Sequence, residues 1–168
     1  MTSSKVREAL IQELRQQGIR DERVLEVMAR IPRHEFVEEA FKGEAYKNRS
    51  LPIGNAQTIS QPYIVALMTE AVLAGGSPKR ILEVGTGSGY QTAVLAALVE
   101  TVFTVERIRV LTESARTRLA RLDVRNVHFG YADGTLGWPP YAPYDGIVVT
   151  AGGDSVPPAL VEQLAVGG

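Results

Sequence analysis

The stretch ILEVGTGSGY, residues 81–90, joins a short apolar segment to a turn with glycine at positions 85, 87 and 89. Glycine reaches backbone angles that are closed to other residues, and it removes side-chain bulk where a ligand approaches the main chain. Residues 91–99 (QTAVLAALV) follow with a strong helix pattern. The glycine loop is therefore predicted to lie between a strand and a helix, where α/β proteins bind nucleotide-type ligands.

The spacing of the glycines narrows the choice of ligand. A dinucleotide fingerprint requires a third glycine where this loop has Tyr90, and a phosphate-binding P-loop requires a lysine that the loop lacks. A tight strand-to-helix turn without a ligand is the structural alternative. The pattern Glu-x-Gly-x-Gly-x-Gly resembles motif I of S-adenosylmethionine-dependent methyltransferases. The resemblance implies that the loop passes beneath the amino-acid end of this cofactor and that Glu83 favours the positive charge of the ligand.

The composition excludes several classes of protein. The 18 basic and 19 acidic side chains give a net charge of -1, so no overall field attracts the chain to nucleic acid or to an anionic membrane. The sequence has no cysteine, which excludes disulfides, thiolate metal sites and a cysteine nucleophile. Because His34 and His128 are far apart in the sequence, we expect no metal site, with carboxylate ligands as the open alternative.

The N-terminal region does not resemble a signal peptide. Charged residues between Lys5 and Arg15 interrupt the apolar run that such a peptide requires. The longest uncharged apolar run, residues 93–99, is too short to cross a bilayer. We therefore expect a soluble cytoplasmic protein.

The first third of the chain is predicted to be helical. Apolar spacing predicts a helix over residues 4–17 that ends at Gly18, and a second helix that is N-capped by Asp21 and ended by Pro32. A further helical turn is expected near residues 36–41. Residues 51–60 (LPIGNAQTIS) are rich in turn formers and precede a helix over 62–74.

From residue 79 onward, strands and helices alternate. Strands are predicted at 80–84, 101–105, 127–131 and 144–149, and helices at about 89–98, 108–122 and 157–165. This alternation predicts an α/β fold with a mostly parallel sheet and helices on both faces.

Ligands bind such sheets at the carboxyl ends of the strands, which selects two acidic residues. Glu106 lies 21 positions after Gly85, close to the interval at which an acidic residue binds ribose hydroxyls, and a carboxylate can accept two hydrogen bonds from a vicinal diol. A solvated acid paired with Arg107 or Arg109 is the alternative. Asp133 follows the third strand, where Asp-Gly is also a common turn pair.

The segment that carries LPIG at residues 51–54 and QTISQPY at residues 57–63 points to a narrower family. It closely resembles the signature of protein-L-isoaspartate O-methyltransferases, which methylate the abnormal carboxylate formed when asparagine or aspartate isomerises. The resemblance extends over nearly the whole chain. It is also carried by IPR at 31–33, FV at 36–37, the glycine loop, VERI at 105–108, DG at 133–134 and APYD at 142–145.

The resemblance implies a Rossmann-like methyltransferase sheet with an N-terminal helical extension and without the family's C-terminal strands. The length of the chain predicts a single domain over residues 1–168. Residues 1–60 would hold the N-terminal helices and the active-site loop, and residues 61–168 the cofactor-binding core.

Site residues follow from the resemblance by position. Ser60 corresponds to the active-site serine, and residues 57–59 belong to the loop that folds over cofactor and substrate. In the family the acid at the third strand end contacts the adenine amino group, which gives this role to Asp133. The cofactor is S-adenosyl-L-methionine and its product S-adenosyl-L-homocysteine. The candidate cofactor-binding residues are Gln57, Thr58, Ile59, Glu83, Gly85, Thr86, Gly87, Ser88, Gly89, Glu106, Arg107, Asp133 and Gly134.

The implied reaction does not require a general base, because the accepting carboxylate is already ionised near pH 7. It requires in-line placement of the carboxylate oxygen against the methyl group and removal of water. The hydroxyl of Ser60 can orient one carboxylate oxygen, so Ser60 is a positioning residue and not a nucleophile; no Gly-x-Ser-x-Gly elbow surrounds it. Without the resemblance, Ser60 would be interpreted as the N-cap of the helix that begins near Pro62.

The chain departs from the family pattern at two places. Ala56 stands where the family usually has glycine, so a positive φ there would strain the loop. The chain ends at Gly168, where the family continues with strands that complete the sheet. We therefore expect a sheet with an open edge, and the activity of this shortened chain is a separate question.

We expect an enzyme that transfers a methyl group from S-adenosyl-L-methionine to L-isoaspartyl and D-aspartyl residues of damaged proteins and peptides, which initiates their repair. The alternatives are a methyltransferase for another acceptor, such as a small molecule or RNA, and a non-catalytic cofactor-binding fragment. The sequence shows no basic patch with stacking aromatics that would favour RNA. The expected partners are isoaspartyl proteins and peptides, without nucleic acid or membrane. A monomer is expected, with association through the incomplete sheet edge as an alternative.

Overall fold

The computed structural model describes residues 4–168, so residues 1–3 of the expected domain lie outside the described part. The helices are α1 (Ser4–Gln16), α2 (Glu22–Arg30), α3 (Pro62–Leu73), α4 (Tyr90–Ala96), α5 (Arg109–Arg121) and α6 (Pro158–Glu162). The strands are β1 (Leu51–Gly54), β2 (Gln57–Ile59), β3 (Arg80–Val84), β4 (Thr101–Glu106), β5 (Val127–Tyr131) and β6 (Gly146–Val149). Short 3-10 turns lie at Arg33–Phe36, Glu39–Glu44, Gly134–Leu136 and Pro139–Tyr141.

The main sheet has four strands in the order β5-β4-β3-β6, and each neighbouring pair is parallel. This arrangement confirms the α/β prediction. Within residues 4–168, β5 and β6 form its two edges. None of the helices in this part of the chain combines the length and the apolar character that crossing a bilayer requires.

Alternating residues of the strands build apolar clusters on opposite faces of the sheet. On one face Ile81 of β3 and Val102 of β4 pack with Leu95 of α4. On the other face Leu82 of β3 and Phe103 of β4 share a cluster that includes Leu160 of α6. The sheet is therefore covered by helices on both sides, and its strand ends are left to form the site.

The N-terminal helices begin and end where their sequence signals predict. Gly18 has a φ of +106° after α1, and the amide of Ile19 donates to the carbonyl of Leu14 at 3.1 Å, as in a Schellman cap. Asp21 caps α2 by accepting from the amide of Arg23 at 2.9 Å. Both predictions are confirmed.

The turn-rich segment 51–60 forms a β-hairpin, which the sequence analysis did not predict as strands. β1 pairs with β2 in antiparallel register, with Leu51 opposite Ile59. The two residues that connect them, Asn55 and Ala56, have φ values of 53° and 54°. Two consecutive positive φ angles are typical of the type I′ turn, in which Asn-Gly is the preferred pair. Ala56 therefore has the positive φ that was expected to strain the loop if it occurred.

The substitution Ala56→Gly is expected to stabilise the protein. An L-residue in the left-handed region costs about 1 kcal/mol or more relative to glycine, and the added flexibility of the unfolded chain offsets part of this gain. We expect urea denaturation to show a free energy of unfolding higher by about 0.5 kcal/mol. Ala9→Gly, on the exposed side of α1, is the matched control and is expected to lower stability by about 0.5–1 kcal/mol. A loss of stability at both positions would contradict the strain at Ala56.

Candidate active site

A cavity of about 400 Å³ opens at the carboxyl ends of the central strands, beside the β1–β2 hairpin. It brings together residues that are distant in sequence but were predicted to share a site. Those that line it are Gln57, Thr58, Ile59, Ser60, Gly85, Thr86, Gly87, Ser88, Glu106, Arg107, Asp133 and Gly134. Two predicted residues, Glu83 and Gly89, are not part of the lining.

The glycine loop is held in place by Thr150, which directly follows β6. Gly85 has a φ of +98°, and a side chain there would begin 2.6 Å from the hydroxyl oxygen of Thr150. That hydroxyl donates to the carbonyls of Val84 at 3.0 Å and of Gly85 at 2.7 Å. Glycine at position 85 therefore serves both the backbone angle and the close approach of Thr150.

Glu106 is tied to the backbone on both sides of its carboxylate. Oε2 accepts from the amide of Gly87 at 3.0 Å, and Oε1 accepts from the amide of Ile108 at 3.0 Å. The residue is only 8% exposed, and no ion pair within residues 4–168 joins it to Arg107 or Arg109. The alternative of a solvated, paired acid is therefore wrong. Since each carboxylate oxygen can accept a second hydrogen bond, the group retains acceptor capacity for a ligand.

Asp133 combines a turn role with a place on the cavity wall. Its Oδ1 accepts from the amide of Thr135 at 2.9 Å and from the Thr135 hydroxyl at 2.8 Å. These hydrogen bonds lower the pKa of the Asp133 carboxyl. Gly134 follows at a point where a side chain would collide with Val84. Both interpretations of Asp-Gly are thus compatible with the structure, because Oδ1 caps the turn and Oδ2 keeps its acceptor capacity.

Ser60 lies at the end of β2 and lines the cavity. The N-cap of α3 is Gln61, which makes no side-chain cap, and α3 begins at Pro62. The interpretation of Ser60 as the cap of this helix is therefore wrong. No hydrogen bond within residues 4–168 engages its hydroxyl, whereas its carbonyl accepts from Nη2 of Arg33 at 2.7 Å. The hydroxyl is consequently free to donate to a ligand.

Glu83 lies beneath the loop and not in the cavity. Its side chain is fully buried, and Oε1 accepts from the hydroxyls of Thr92 at 2.5 Å and Thr104 at 2.7 Å. The hydroxyls of Thr86 and Thr104 are 2.6 Å apart. Because the single proton of the Thr104 hydroxyl is donated to Glu83, the Thr86 hydroxyl must be the donor to the Thr104 oxygen. This chain of hydroxyls joins the cavity floor to the buried carboxyl. A direct contact between Glu83 and a bound ligand is therefore not supported by its position.

Gly89 is also removed from the cavity. It precedes α4 with a φ of +88° and faces α5, where a side chain would begin 3.2 Å from Cβ of Ala115. Its role is to let the loop enter α4 close to α5.

The buried Glu83 carboxyl predicts an unusual dependence of stability on pH. Burial raises its pKa from 4.5 to about 7. The hydrogen bonds from the two threonine hydroxyls oppose this rise but are smaller in effect. The folded state therefore binds more protons than the unfolded state between these values, so this group lowers stability as pH rises from about 4.5 to 7. Relative to Glu83→Gln, we expect the wild-type free energy of unfolding to fall by on the order of 2 kcal/mol between pH 5 and pH 8. Urea denaturation at both pH values measures this, and Glu8→Gln on the exposed side of α1 is the control. A constant difference between wild type and Glu83→Gln would contradict the prediction.

Several lining residues were missed by sequence reasoning. They are Val65, Val84, Tyr90, Gln91, Val105, Thr135, Thr150, Ala151 and Gly152. Thr150, Ala151 and Gly152 follow β6, so the rule that selected Glu106 and Asp133 at strand ends would also have selected them. Val65, Val84 and Val105 are apolar, Tyr90 and Gln91 lie in α4, and Thr135 lies in the 3-10 turn after Asp133. None of them has a distinguishing local signal.

Comparison with known proteins is consistent with this geometry. Residues 4–168 match the family model described as Protein-L-isoaspartate(D-aspartate) O-methyltransferase (PCMT). Curated relatives named protein-L-isoaspartate O-methyltransferase include those of Ectopseudomonas mendocina (strain ymp) and Halorhodospira halophila (strain DSM 244 / SL1), which are 58% and 56% identical over all 168 residues. The chain spans 80% and 76% of their respective lengths.

Solved structures agree with the sequence comparison. One named protein-L-isoaspartate O-methyltransferase has a TM-score of 0.85 at 35% identity and is matched over 95% of this chain and 52% of its own, about half its length. A Plasmodium falciparum structure described as a beta-aspartate methyltransferase (PCMT) in complex with S-adenosyl-L-homocysteine shares the fold, with a TM-score of 0.80 at 24% identity over 94% of this chain and 78% of its own. With the family model matched from residue 4 to residue 168, the chain belongs to the protein-L-isoaspartate (D-aspartate) O-methyltransferase family.

Proposed function

We propose that this chain transfers a methyl group from S-adenosyl-L-methionine to the free carboxylate of L-isoaspartyl and D-aspartyl residues in damaged proteins and peptides, which initiates their repair. The observation that carries the proposal is one cavity that joins the glycine loop, Glu106 and Ser60. The relatives at 56–58% identity, named for this activity, support the same assignment.

The cavity fits a nucleoside cofactor with an amino-acid tail. Its volume of about 400 Å³ lies in the range of small-molecule sites. We assign the ribose diol to Glu106, which keeps acceptor capacity beyond its two backbone hydrogen bonds, and the adenine amino group to Asp133. The backbone of the glycine loop and residues 57–59 of the hairpin complete the proposed binding site. The cofactor supplies an electrophilic methyl group on a sulfonium centre.

The residues of the chain position the acceptor and exclude water. Ser60 donates its free hydroxyl to one oxygen of the substrate carboxylate and leaves the other oxygen to attack the methyl group. The hairpin that carries Ser60 shields the reacting atoms from solvent, which strengthens the interaction of the opposite charges. The proposed transfer requires no general base, because no proton is removed from the nucleophile.

A paired-peptide assay tests the proposal. The purified chain is incubated with methyl-labelled cofactor and either an isoaspartyl peptide or its aspartyl twin of the same sequence. We expect base-labile methyl ester on the isoaspartyl peptide alone. The free carboxylate of an isoaspartyl residue has a different position relative to the peptide backbone from the side-chain carboxylate of the aspartyl twin, and only the former has the required geometry. Equal labelling of both peptides would contradict the substrate assignment. Cofactor binding by calorimetry without transfer to any acceptor would support the alternative of a non-catalytic binding fragment.

The proposal includes three predictions made from the sequence: a monomeric state, a cytoplasmic location and a single-domain organisation. Sedimentation equilibrium tests the first of these. A monomer–dimer equilibrium that is abolished by a charged substitution at Val149, on the edge strand β6, would instead indicate association through the sheet edge.

A further inference from the structure

A fully buried arginine lies directly behind the hairpin segment of the site. Arg33 follows α2, and its side chain has no solvent exposure. Its Nε donates to the carbonyl of Ala45 at 2.8 Å, and its Nη2 donates to the carbonyl of Ser60 at 2.7 Å. No ion pair within residues 4–168 involves Arg33, and Nη1 has no hydrogen-bond partner there. The buried charge is therefore stabilised by carbonyl groups and not by a carboxylate.

The same guanidinium also contacts the helix that follows the glycine loop. Its Cζ lies 4.7 Å from the centre of the Tyr90 ring, and Tyr90 is the first residue of α4 and lines the cavity. Phe36 packs edge-on against that ring, with the ring centres 5.4 Å apart. Arg33 thus connects the segment that carries Ser60 to the beginning of α4.

The buried guanidinium would lower the stability of the fold if the only role of Arg33 were to fill space. Burial of an unpaired charge costs free energy, and burial lowers the pKa of the Arg33 guanidinium accordingly. An apolar side chain of similar volume would fill the space without that cost. What the planar guanidinium adds is a fixed geometry, because it donates to two carbonyls and lies over a ring at the same time.

We propose that Arg33 is a positioning residue of the active site, which holds the backbone of Ser60 so that the serine hydroxyl is oriented toward the substrate carboxylate. The inference rests on the proposed methyl transfer. It adds a residue outside the cavity whose effect on the reaction passes through Ser60.

Arg33→Lys tests the role, since lysine keeps the positive charge but cannot donate to both carbonyls while it lies over the Tyr90 ring. We expect kcat on the isoaspartyl peptide to fall about 10-fold, the consequence of a misdirected hydrogen bond, while the Kd of the cofactor changes less than about twofold. Arg7→Lys is the matched control. Arg7 also donates to two carbonyls, those of Ala29 and Arg30, and lies over an aromatic ring, but within residues 4–168 it makes no hydrogen bond to the Ser60 segment. Its kcat is expected to stay at the wild-type value.

A double-mutant cycle separates positioning from a general structural effect. If Arg33 acts through the Ser60 hydroxyl, Arg33→Lys changes kcat less than about twofold in a Ser60→Ala background. A loss by the same factor in both backgrounds would overturn the proposal.

A readout without catalysis distinguishes this proposal from the proposed function. The carbonyl ¹³C resonance of Ser60 reports the hydrogen bond from Arg33, so it is expected to shift in Arg33→Lys and not in Arg7→Lys. A wild-type chain that transfers no methyl group overturns the proposed function, whereas an unshifted resonance overturns the role of Arg33. If Arg33→Lys does not fold, Arg33→Gln is the second variant. A scalar coupling across the hydrogen bond between Arg33 and the Ser60 carbonyl is then measured in the wild type, and its absence counts against the proposal.

Discussion

Glu106→Gln is expected to weaken cofactor binding by about 100-fold. A carboxylate that accepts two hydrogen bonds from a ribose diol contributes about 1.5 kcal/mol for each, and their loss corresponds to about two orders of magnitude in Kd. The amide also places a donor where a carboxylate oxygen now accepts the amide of Gly87 or of Ile108, which loosens the glycine loop. Isothermal titration calorimetry with S-adenosyl-L-homocysteine measures the change in Kd. Circular dichroism first verifies that each sample is folded.

Asp145→Asn is the matched control for this experiment. The Asp145 carboxylate also accepts two backbone amides, those of Lys79 at 2.8 Å and Arg80 at 2.9 Å. Asp145 directly precedes β6, its carboxylate meets the beginning of β3, and it does not line the cavity. We expect its substitution to lower thermal stability and to leave the Kd within about twofold of wild type. An equal loss of affinity in both variants would mean that Glu106 acts only through the fold.

Ser60→Ala is expected to lower kcat about 10- to 100-fold with the cofactor Kd nearly unchanged. The substitution removes a hydrogen bond to a charged group, which contributes about 1.5–3 kcal/mol when it orients the reacting carboxylate. Because the hydroxyl has no partner within residues 4–168 and Gln61 is the N-cap of α3, the change should not unfold the segment. Initial rates with saturating peptide and direct titration of the cofactor separate the two effects.

Ser77→Ala, in the exposed turn before β3, is the control for the loss of a serine hydroxyl. It is expected to alter neither kcat nor affinity. If Ser60→Ala instead abolished cofactor binding, Ser60 would belong to the cofactor site and not to the acceptor site.

Local signals were sufficient for most of the fold. Regular elements such as β3 at 80–84 and β5 at 127–131 have the predicted bounds, since a short apolar run followed by glycine or acidic residues is a strong strand signal. The β1–β2 hairpin was missed because its strands have only four and three residues, and its pairing is an interaction between segments and not a property of either one.

Site residues that follow strand ends could be predicted from the sequence. Residues whose role depends on burial behind the cavity could not. Glu106 and Asp133 were selected by position in the sheet, and both line the cavity. Glu83 was predicted at the ligand because motif I places an acid near the loop, yet its side chain points to the opposite side of the backbone and meets Thr92. The link from Arg33 to Ser60 joins residues 27 positions apart and has no periodic signal.

The wall of the cavity is assembled from segments that extend from residue 57 to residue 152 of the chain. The complete site can therefore exist only in molecules whose hairpin, central strands and β6 have already come together. A ligand with affinity for this site but none for the unfolded chain shifts the folding equilibrium by mass action, by about 2.7 kcal/mol at a concentration 100 times its Kd. The melting temperature should accordingly rise with cofactor concentration, which makes thermal denaturation a direct assay of occupancy.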